Sequence, residues 1–239
     1  MQDKVILIAG GSGGVGTACA RIFAKAGARI VLAARDKVKA EATAKEINNS
    51  GGEAFVIEFD ATDHSSVASM VETVVKELGK IDVLVNAFGE GLIQPILDVN
   101  PRDAKRVFDI NIFGTFLVTQ TVLRHMVTEK QGSVIMFPGV LGKSVMRNSS
   151  VYSASKYAVT GFTKALIEET RRSNIKFSLL YLGGIDTPFW ENDTIEMRVQ
   201  KDKMLSPDEV AKAVYYAVSQ PVHSVLNEIT IQPESHQMV

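Results

Sequence analysis

Val5-Ile6-Leu7-Ile8-Ala9 runs directly into Gly10-Gly11-Ser12-Gly13-Gly14-Val15-Gly16, and this junction decides the fold. Five apolar residues in a row are too few for a signal-peptide core or a bilayer span, but they suit a strand covered on both faces. The glycines permit a tight turn into a helix, whose N-terminal N–H groups and dipole favour a phosphate. Outward from there, β-branched runs recur at 29–33, 54–59, 83–86, 133–137, 176–181 and 228–231. Helical stretches at 16–26, 36–49, 65–78, 102–128, 153–172 and 207–219 lie between them.

Strand–helix alternation at this spacing implies right-handed crossovers. It predicts an α/β fold of the Rossmann type: a doubly wound sheet of seven mostly parallel strands with helices on both faces. No repeat and no Pro- or Ser-rich linker divides the 239 residues, so 1–239 reads as a single domain. The stretch 186–205, with Pro188, Phe189, Trp190 and mixed charges, is too long for a simple connection and reads as a substrate loop. Phe189 and Trp190 then form either an apolar lid or a packing surface against the domain or a second subunit.

Composition narrows the function classes. Lys plus Arg is 26 and Asp plus Glu is 27, a net charge of −1, which offers no electrostatic reason to bind nucleic acid or an anionic membrane. With 46% apolar and 22% charged residues the chain can fill a core, which rules out disorder. Cys19 is the single cysteine, excluding a disulfide framework and fitting a reducing, cytoplasmic setting. His64, His125, His223 and His236 are scattered without ligand spacing, so no metal site is expected.

The glycine turn parses in two ways. Gly11, Gly13 and Gly16 fit G-x-G-x-x-G; Gly10, Gly14 and Gly16 fit G-x-x-x-G-x-G. Between a first strand and a first helix, either is a dinucleotide fingerprint, placing Gly10, Ser12, Gly13, Gly14, Val15 and Gly16 against a pyrophosphate. At the end of the second strand an acidic residue would take the ribose 2′-hydroxyl of NAD, and an arginine the 2′-phosphate of NADP. Ala34 stands at the acidic position and Arg35 follows, favouring NADP(H) over NAD(H). Asp36 either takes the ribose or caps the next helix.

Tyr152-Ser153-Ala154-Ser155-Lys156 opens a long amphipathic stretch. Residues four apart share a helical face, so phenol and ammonium can point into one cleft. A nearby ammonium stabilises phenolate and lowers the phenol pKa from about 10, fitting the pair for proton transfer to a carbonyl oxygen.

In their order and spacing, Gly10-x-x-x-Gly14-x-Gly16, Asn86-Ala87-Phe88-Gly89, Asn111 and Tyr152-x-x-x-Lys156 resemble the short-chain dehydrogenase/reductase family over essentially the whole chain. The resemblance implies an NADP(H)-dependent oxidoreductase that interconverts a ketone or aldehyde and an alcohol. It assigns Tyr152 as catalytic acid/base, Lys156 to the nicotinamide ribose, and Asn111 to a water in the relay behind the lysine. Asp60 and Ala61 would flank the adenine; Asn86, Ala87 and Phe88 would line the cofactor groove. Leu182-Gly183-Gly184-Ile185-Asp186-Thr187 is similar to the family's Pro-Gly-x-Val-x-Thr stretch, placing Gly183, Ile185 and Thr187 beside the carboxamide. A homodimer or homotetramer, paired through 102–128 and 153–172, is also implied.

The pattern breaks at one catalytic position. The family has a serine about thirteen residues before the tyrosine; here Gly139 stands there, within Phe137-Pro138-Gly139-Val140. Removing such a donor costs roughly 10²–10³ in rate. Three readings follow. Another hydroxyl substitutes, Ser144 before Ser149 or Ser150; or Tyr152 works with a water or the Gly139 N–H; or the chain is an NADP(H)-binding regulatory or scaffolding protein with weak or no catalysis. Two lesser departures are Phe88, which adds bulk near the cofactor, and Leu182, expected to loosen a turn that normally starts with proline.

Overall fold

The computed structural model describes residues 1–235, 237 and 238; His236 and Val239 lie outside the described residues. Seven strands form one parallel sheet: β1 (Val5–Ala9), β2 (Arg29–Ala34), β3 (Glu53–Glu58), β4 (Val83–Asn86), β5 (Gly132–Met136), β6 (Ile175–Leu182) and β7 (Glu228–Ile231). Their spatial order is β3-β2-β1-β4-β5-β6-β7. Each pairing is parallel, with Ala9 opposite both Ala33 and Asn86.

Period-two alternation explains why β1 is apolar throughout: all five of its residues are fully buried. Ile6 and Ile8 face one core layer, shared with Phe23 of α1 (Gly14–Lys25), Ala44 and Ile47 of α2 (Lys37–Asn49), and Val210 and Val214 of α7 (Pro207–Val218). Val5, Leu7 and Ala9 face the other, packed by Met70 and Val74 of α3 (His64–Leu78), Val118 and Met126 of α5 (Thr115–Glu129), and Val159 of α6 (Ser150–Glu169). At roughly 1.5–3 kcal/mol for each large apolar side chain buried, these two layers dominate the fold's stability.

Two helices differ from their sequence expectations. The stretch read as one helix over 102–128 divides into α4 (Pro101–Phe108), a π-helical segment Asp109–Gly114, and α5. The wider π turn carries Asn111 into the interior, as such turns often do at functional sites. Helix α6 begins at Ser150, not 153, so Tyr152 lies in its first turn. Among the described residues no helix is long and apolar enough to cross a membrane.

Candidate active site

Strand order reverses about β1 and β4, the position at which open α/β sheets leave a crevice beyond the carboxyl ends of their strands. Here that crevice is a cleft of about 820 Å³. The segments following β1, β4 and β5 and the end of β6 line it, and the 186–205 loop roofs it.

At its base lies the glycine turn, and its geometry separates the two parses. Gly10 adopts φ +94°, and a Cβ there would come within 2.6 Å of the Ala87–Phe88 backbone. A Cβ on Gly16 would lie 2.3 Å from the Gly10 carbonyl oxygen, and one on Gly14 2.7 Å from Thr187. At Gly13 the nearest atom would be 3.5 Å away, so Gly13 has no such steric need. Gly11 is tight as well, 2.8 Å from Leu32, but the spacing whose members are all required is G-x-x-x-G-x-G. Helix α1 starts at Gly14 with no capping side chain and no acid in its first turn, leaving its N-terminal N–H groups for an anion. Ser12, Gly13, Gly14 and Val15 line the cleft, so the cradle fits a dinucleotide pyrophosphate.

On the far wall α6 presents Tyr152 and Lys156, both lining the same cleft. Lys156 Nζ donates to the Phe137 carbonyl oxygen at 3.0 Å and sits 5.5 Å from the centroid of the Tyr152 ring. The Tyr152 hydroxyl makes none of the hydrogen bonds found among the described residues. Burial pushes the Lys156 ammonium down to about 8 and pushes the Tyr152 phenol above its ordinary value. The ammonium was expected to lower the phenol; with protein groups alone, the cost of desolvating a phenolate outweighs it. Tyr152 is therefore a protonated phenol at neutral pH, which is the form a proton donor requires.

Asn111 lies behind this pair and is 2% exposed. Its Oδ1 accepts from the Glu90 N–H at 2.8 Å, while its Nδ2 donates to the Glu90 carbonyl at 2.9 Å and to Ser155 Oγ at 3.0 Å. The carboxamide thus grips the chain after β4 and ties it to the Tyr152 helix. A Cβ on Gly89 would lie 3.2 Å from Asn111 Oδ1 and 3.6 Å from Lys156 Nζ, so the three groups adjoin. Asn86, also buried, donates to Thr119 Oγ1 and faces Met136 Sδ, and its Oδ1 has no partner among the described residues. Ala87 and Phe88 line the cleft, Phe88 braced edge-on against Phe59.

Toward the adenosine end, Asp36 Oδ1 accepts from Lys39 N at 3.1 Å and caps α2, while the residue also lines the cleft, so the cap is present without excluding a ribose contact. Arg35 is exposed just past β2, outside the cleft lining, and makes no hydrogen bond or ion pair among the described residues. Asp60 turns back on Thr62, accepting from its N–H and hydroxyl, and Ala61 is buried against Gly114; neither lines the cleft. Gly183, Ile185 and Thr187 do. Leu182 does not loosen its turn: it is the last residue of β6, pairs with Ile231 and is buried, because an N–H and an apolar side chain let the strand run on.

Gly139 lines the cleft, with φ +63° and ψ 173°. The chain then curls into a short 3₁₀ turn, Val140–Gly142, so the residues facing the cleft here are Phe137 to Leu141 and then Met146. Ser144 is not among them; its N–H closes the turn onto the Val140 carbonyl. Ser149 Oγ donates to the Met146 carbonyl and shares a hydrogen bond with Ser153, while Ser150 lines a separate surface hollow. Gly139 N–H is itself directed to the Leu180 carbonyl at 3.3 Å.

The roof is stitched at both ends, by parallel bridges Ile93↔Ile195 and Ile185↔Leu205. Phe189 packs 5.8 Å from the Tyr152 ring, Trp190 lies edge-on to Phe189, and Trp190 Nε1 donates to the Ile185 carbonyl. Both aromatics line the cleft, giving the lid arrangement. Lys39, Leu141, Met146, Arg198, Lys203 and Met204 also line it, and no motif announced them. Only their place in the 36–49 helix, the post-β5 loop or the 186–205 stretch pointed that way.

Known proteins are similar to this chain in sequence and fold. The short chain dehydrogenase family profile matches residues 4–198. An uncharacterized oxidoreductase of Staphylococcus epidermidis is 33% identical over 98% of both chains, and one of Staphylococcus aureus is 30% identical at the same coverage. A metagenomic short-chain oxidoreductase solved with NADP superposes with TM-score 0.85 at 28% identity over 97% of each chain. Actinorhodin polyketide ketoreductase with NADPH gives 0.88 at 27% identity over 98% of each. An alcohol dehydrogenase from Thermococcus sibiricus, complexed with 5-hydroxy-NADP, matches at 0.91 over the full length of both, and at 22% identity it speaks to fold alone.

Proposed function

Since the chain belongs to the short-chain dehydrogenase family of oxidoreductases, we propose that it interconverts a ketone or aldehyde and the corresponding alcohol with NADP(H), using Tyr152 as acid/base. One observation carries the reading: a protonated phenol and a buried ammonium line the same cleft as an uncapped, acid-free helix N-terminus. When bound, the reduced cofactor supplies the hydride. The Ser12 to Gly16 turn would hold its pyrophosphate, Gly10 keeping the backbone close. Arg35, without a hydrogen bond or ion pair among the described residues, is a cation suited to a 2′-phosphate, and Asp36 beside it has one oxygen engaged in capping α2. Asp60 and Ala61 would flank the adenine, Asn86 to Phe88 the groove, and Gly183, Ile185 and Thr187 the carboxamide. The NADP and NADPH bound by two of the structural relatives agree with this choice.

Tyr152 donates its proton to the carbonyl oxygen as the carbon is reduced. Lys156, held by the Phe137 carbonyl, stabilises the phenolate that remains and binds ribose hydroxyls. Asn111 fixes the Glu90 backbone and Ser155 of α6, keeping the relay in register. A homodimer or homotetramer joined through α4–α5 and α6, which leave Phe113 and Tyr157 exposed, belongs to the same reading.

The missing hydroxyl at Gly139 favours a second reading, an NADP(H)-binding regulatory or scaffolding protein with weak or no catalysis. NADPH binding followed by fluorescence, together with NADPH consumption over ketones, aldehydes and diketones, separates the two. Turnover supports the enzyme; tight binding without turnover of any substrate supports the second.

A further inference from the structure

We propose that the substrate is an apolar carbonyl compound activated by its own conjugation, a 1,2-dicarbonyl or ortho-quinone, in place of an isolated ketone; this rests on the carbonyl-reducing reading above. The argument is an inventory of hydrogen-bond donors. Among the described residues, the side-chain hydroxyls lining the cleft are those of Ser12, Tyr152 and Thr187. Ser12 belongs to the glycine turn and Thr187 packs against Gly14, so both belong to the wall that would hold the cofactor. Near Tyr152 three other donors each hold a partner, the Lys156 ammonium keeping its remaining N–H groups for the ribose hydroxyls. Trp190 Nε1 donates to Ile185 at 2.8 Å, Gly139 N–H to Leu180 at 3.3 Å, and Lys156 Nζ to Phe137 at 3.0 Å.

Apart from Lys39 on α2 and Arg198, Gln200 and Lys203 in the roof, a substrate oxygen therefore meets one side-chain hydroxyl on this wall, the Tyr152 phenol. Absence of a second costs roughly 10²–10³ in rate for a carbonyl that depends on polarisation. Nor does the backbone allow the family's serine to be regained by simple replacement, because φ +63° with ψ 173° at Gly139 is a conformation essentially confined to glycine. A neighbouring carbonyl withdraws electron density and supplies the activation within the substrate. An iminium, the other self-activated acceptor, would bring positive charge beside Lys156. Phe189 packs on the Tyr152 ring with Trp190 edge-on to it, and Leu141 and Met146 line the same cleft, an apolar set that suits a flat apolar molecule.

The reaction balances. Hydride from NADPH forms a C–H bond at one carbonyl carbon as the C=O π bond breaks; that oxygen takes the Tyr152 proton, and the tyrosinate recovers a proton from solvent. The dicarbonyl is reduced by two electrons to an α-hydroxy ketone, or from a quinone to a catechol after tautomerisation, and NADPH is oxidised to NADP⁺.

Two near-isosteric probes test it, 1-phenylpropane-1,2-dione and propiophenone, in two readouts. Trp190 is the chain's one tryptophan, so quenching of its fluorescence reports binding at the wall itself. The expected result is comparable quenching by both probes, and a kcat/KM for the dione higher by a factor of about 10² or more. Propiophenone reduced within tenfold of the dione would overturn the proposal while leaving carbonyl reduction intact, since a further donor, such as a backbone N–H of the Gly139 turn, must then act. Quenching by neither probe would overturn the apolar site. NADPH left unconsumed by both probes and by 9,10-phenanthrenequinone would instead remove the carbonyl-reducing reading on which the proposal rests.

Discussion

Gly139→Ser looks like a repair of the active site, and the structure predicts that it will behave as an injury. Space is not the obstacle, because a Cβ on residue 139 would meet only the Leu182 carbonyl oxygen, at 3.5 Å. Backbone conformation is: φ +63° with ψ 173° costs a side-chain-bearing residue about 1–3 kcal/mol. In a domain of this size each kcal/mol moves Tm by about 2–4 °C, so the variant should melt about 2–12 °C lower. Gly139→Ala should lose as much, since the penalty belongs to the Cβ and not to the hydroxyl. Thermal unfolding followed by circular dichroism gives the first quantity, and NADPH oxidation with a small ketone the second, in which no gain is expected because the loop must first reshape. A serine variant with unchanged Tm and a kcat raised tenfold would refute the reasoning, by showing that a hydroxyl fits the native turn.

Other perturbations read the remaining parts of the site. Arg35→Ala should weaken NADPH binding much more than NADH binding, as it removes a contact only the 2′-phosphate makes; equal losses in a fluorescence titration would contradict that placement. Ser144→Ala should leave kcat unchanged, because that residue does not line the cleft, whereas a tenfold loss would bring its hydroxyl back into the chemistry. Lys156→Met should raise stability at neutral pH while abolishing turnover. The folded lysine titrates near 8 against 10.5 for the free group, so below pH 8 both states are protonated and the burial cost is fully present. Between those values the unfolded chain binds more protons, so the wild type gains stability as pH rises and the variant's advantage narrows. Urea unfolding at about pH 7 and about pH 9.5 measures this; an advantage that widens at the higher pH has the opposite sign.

Legibility followed locality. Strands β1 and β4 were readable because burial on both faces leaves an unbroken apolar run, and the glycine turn because its glycines stand together in one short motif, even though Gly10 and Gly14 make room for Ala87–Phe88 and Thr187 far along the chain. Tyr152 and Lys156 were readable for the same reason, one helical turn joining them. The π-helical segment at Asp109–Gly114 was not, since it needs no special residue and depends on Asn111 gripping Glu90, 21 positions away. Which residues of the loop after β5 face the cleft was equally hidden. Counting positions gave Gly139 its place but could not show that the 3₁₀ turn carries Ser144 off the lining and returns Met146 to it. Lys39, Arg198 and Met204 reach the site through helix α2 and the roof, long-range placements with no local signature.

Tyr152→Phe tests the central claim most directly, because it deletes one oxygen that has no hydrogen bond among the described residues and leaves the ring packed against Phe189. With NADPH and a reducible dicarbonyl, kcat should fall by a factor of about 10² or more while the NADPH dissociation constant stays within a few-fold of the wild type. A variant that reduces the substrate at the wild-type rate would contradict the assignment of this phenol as the proton donor.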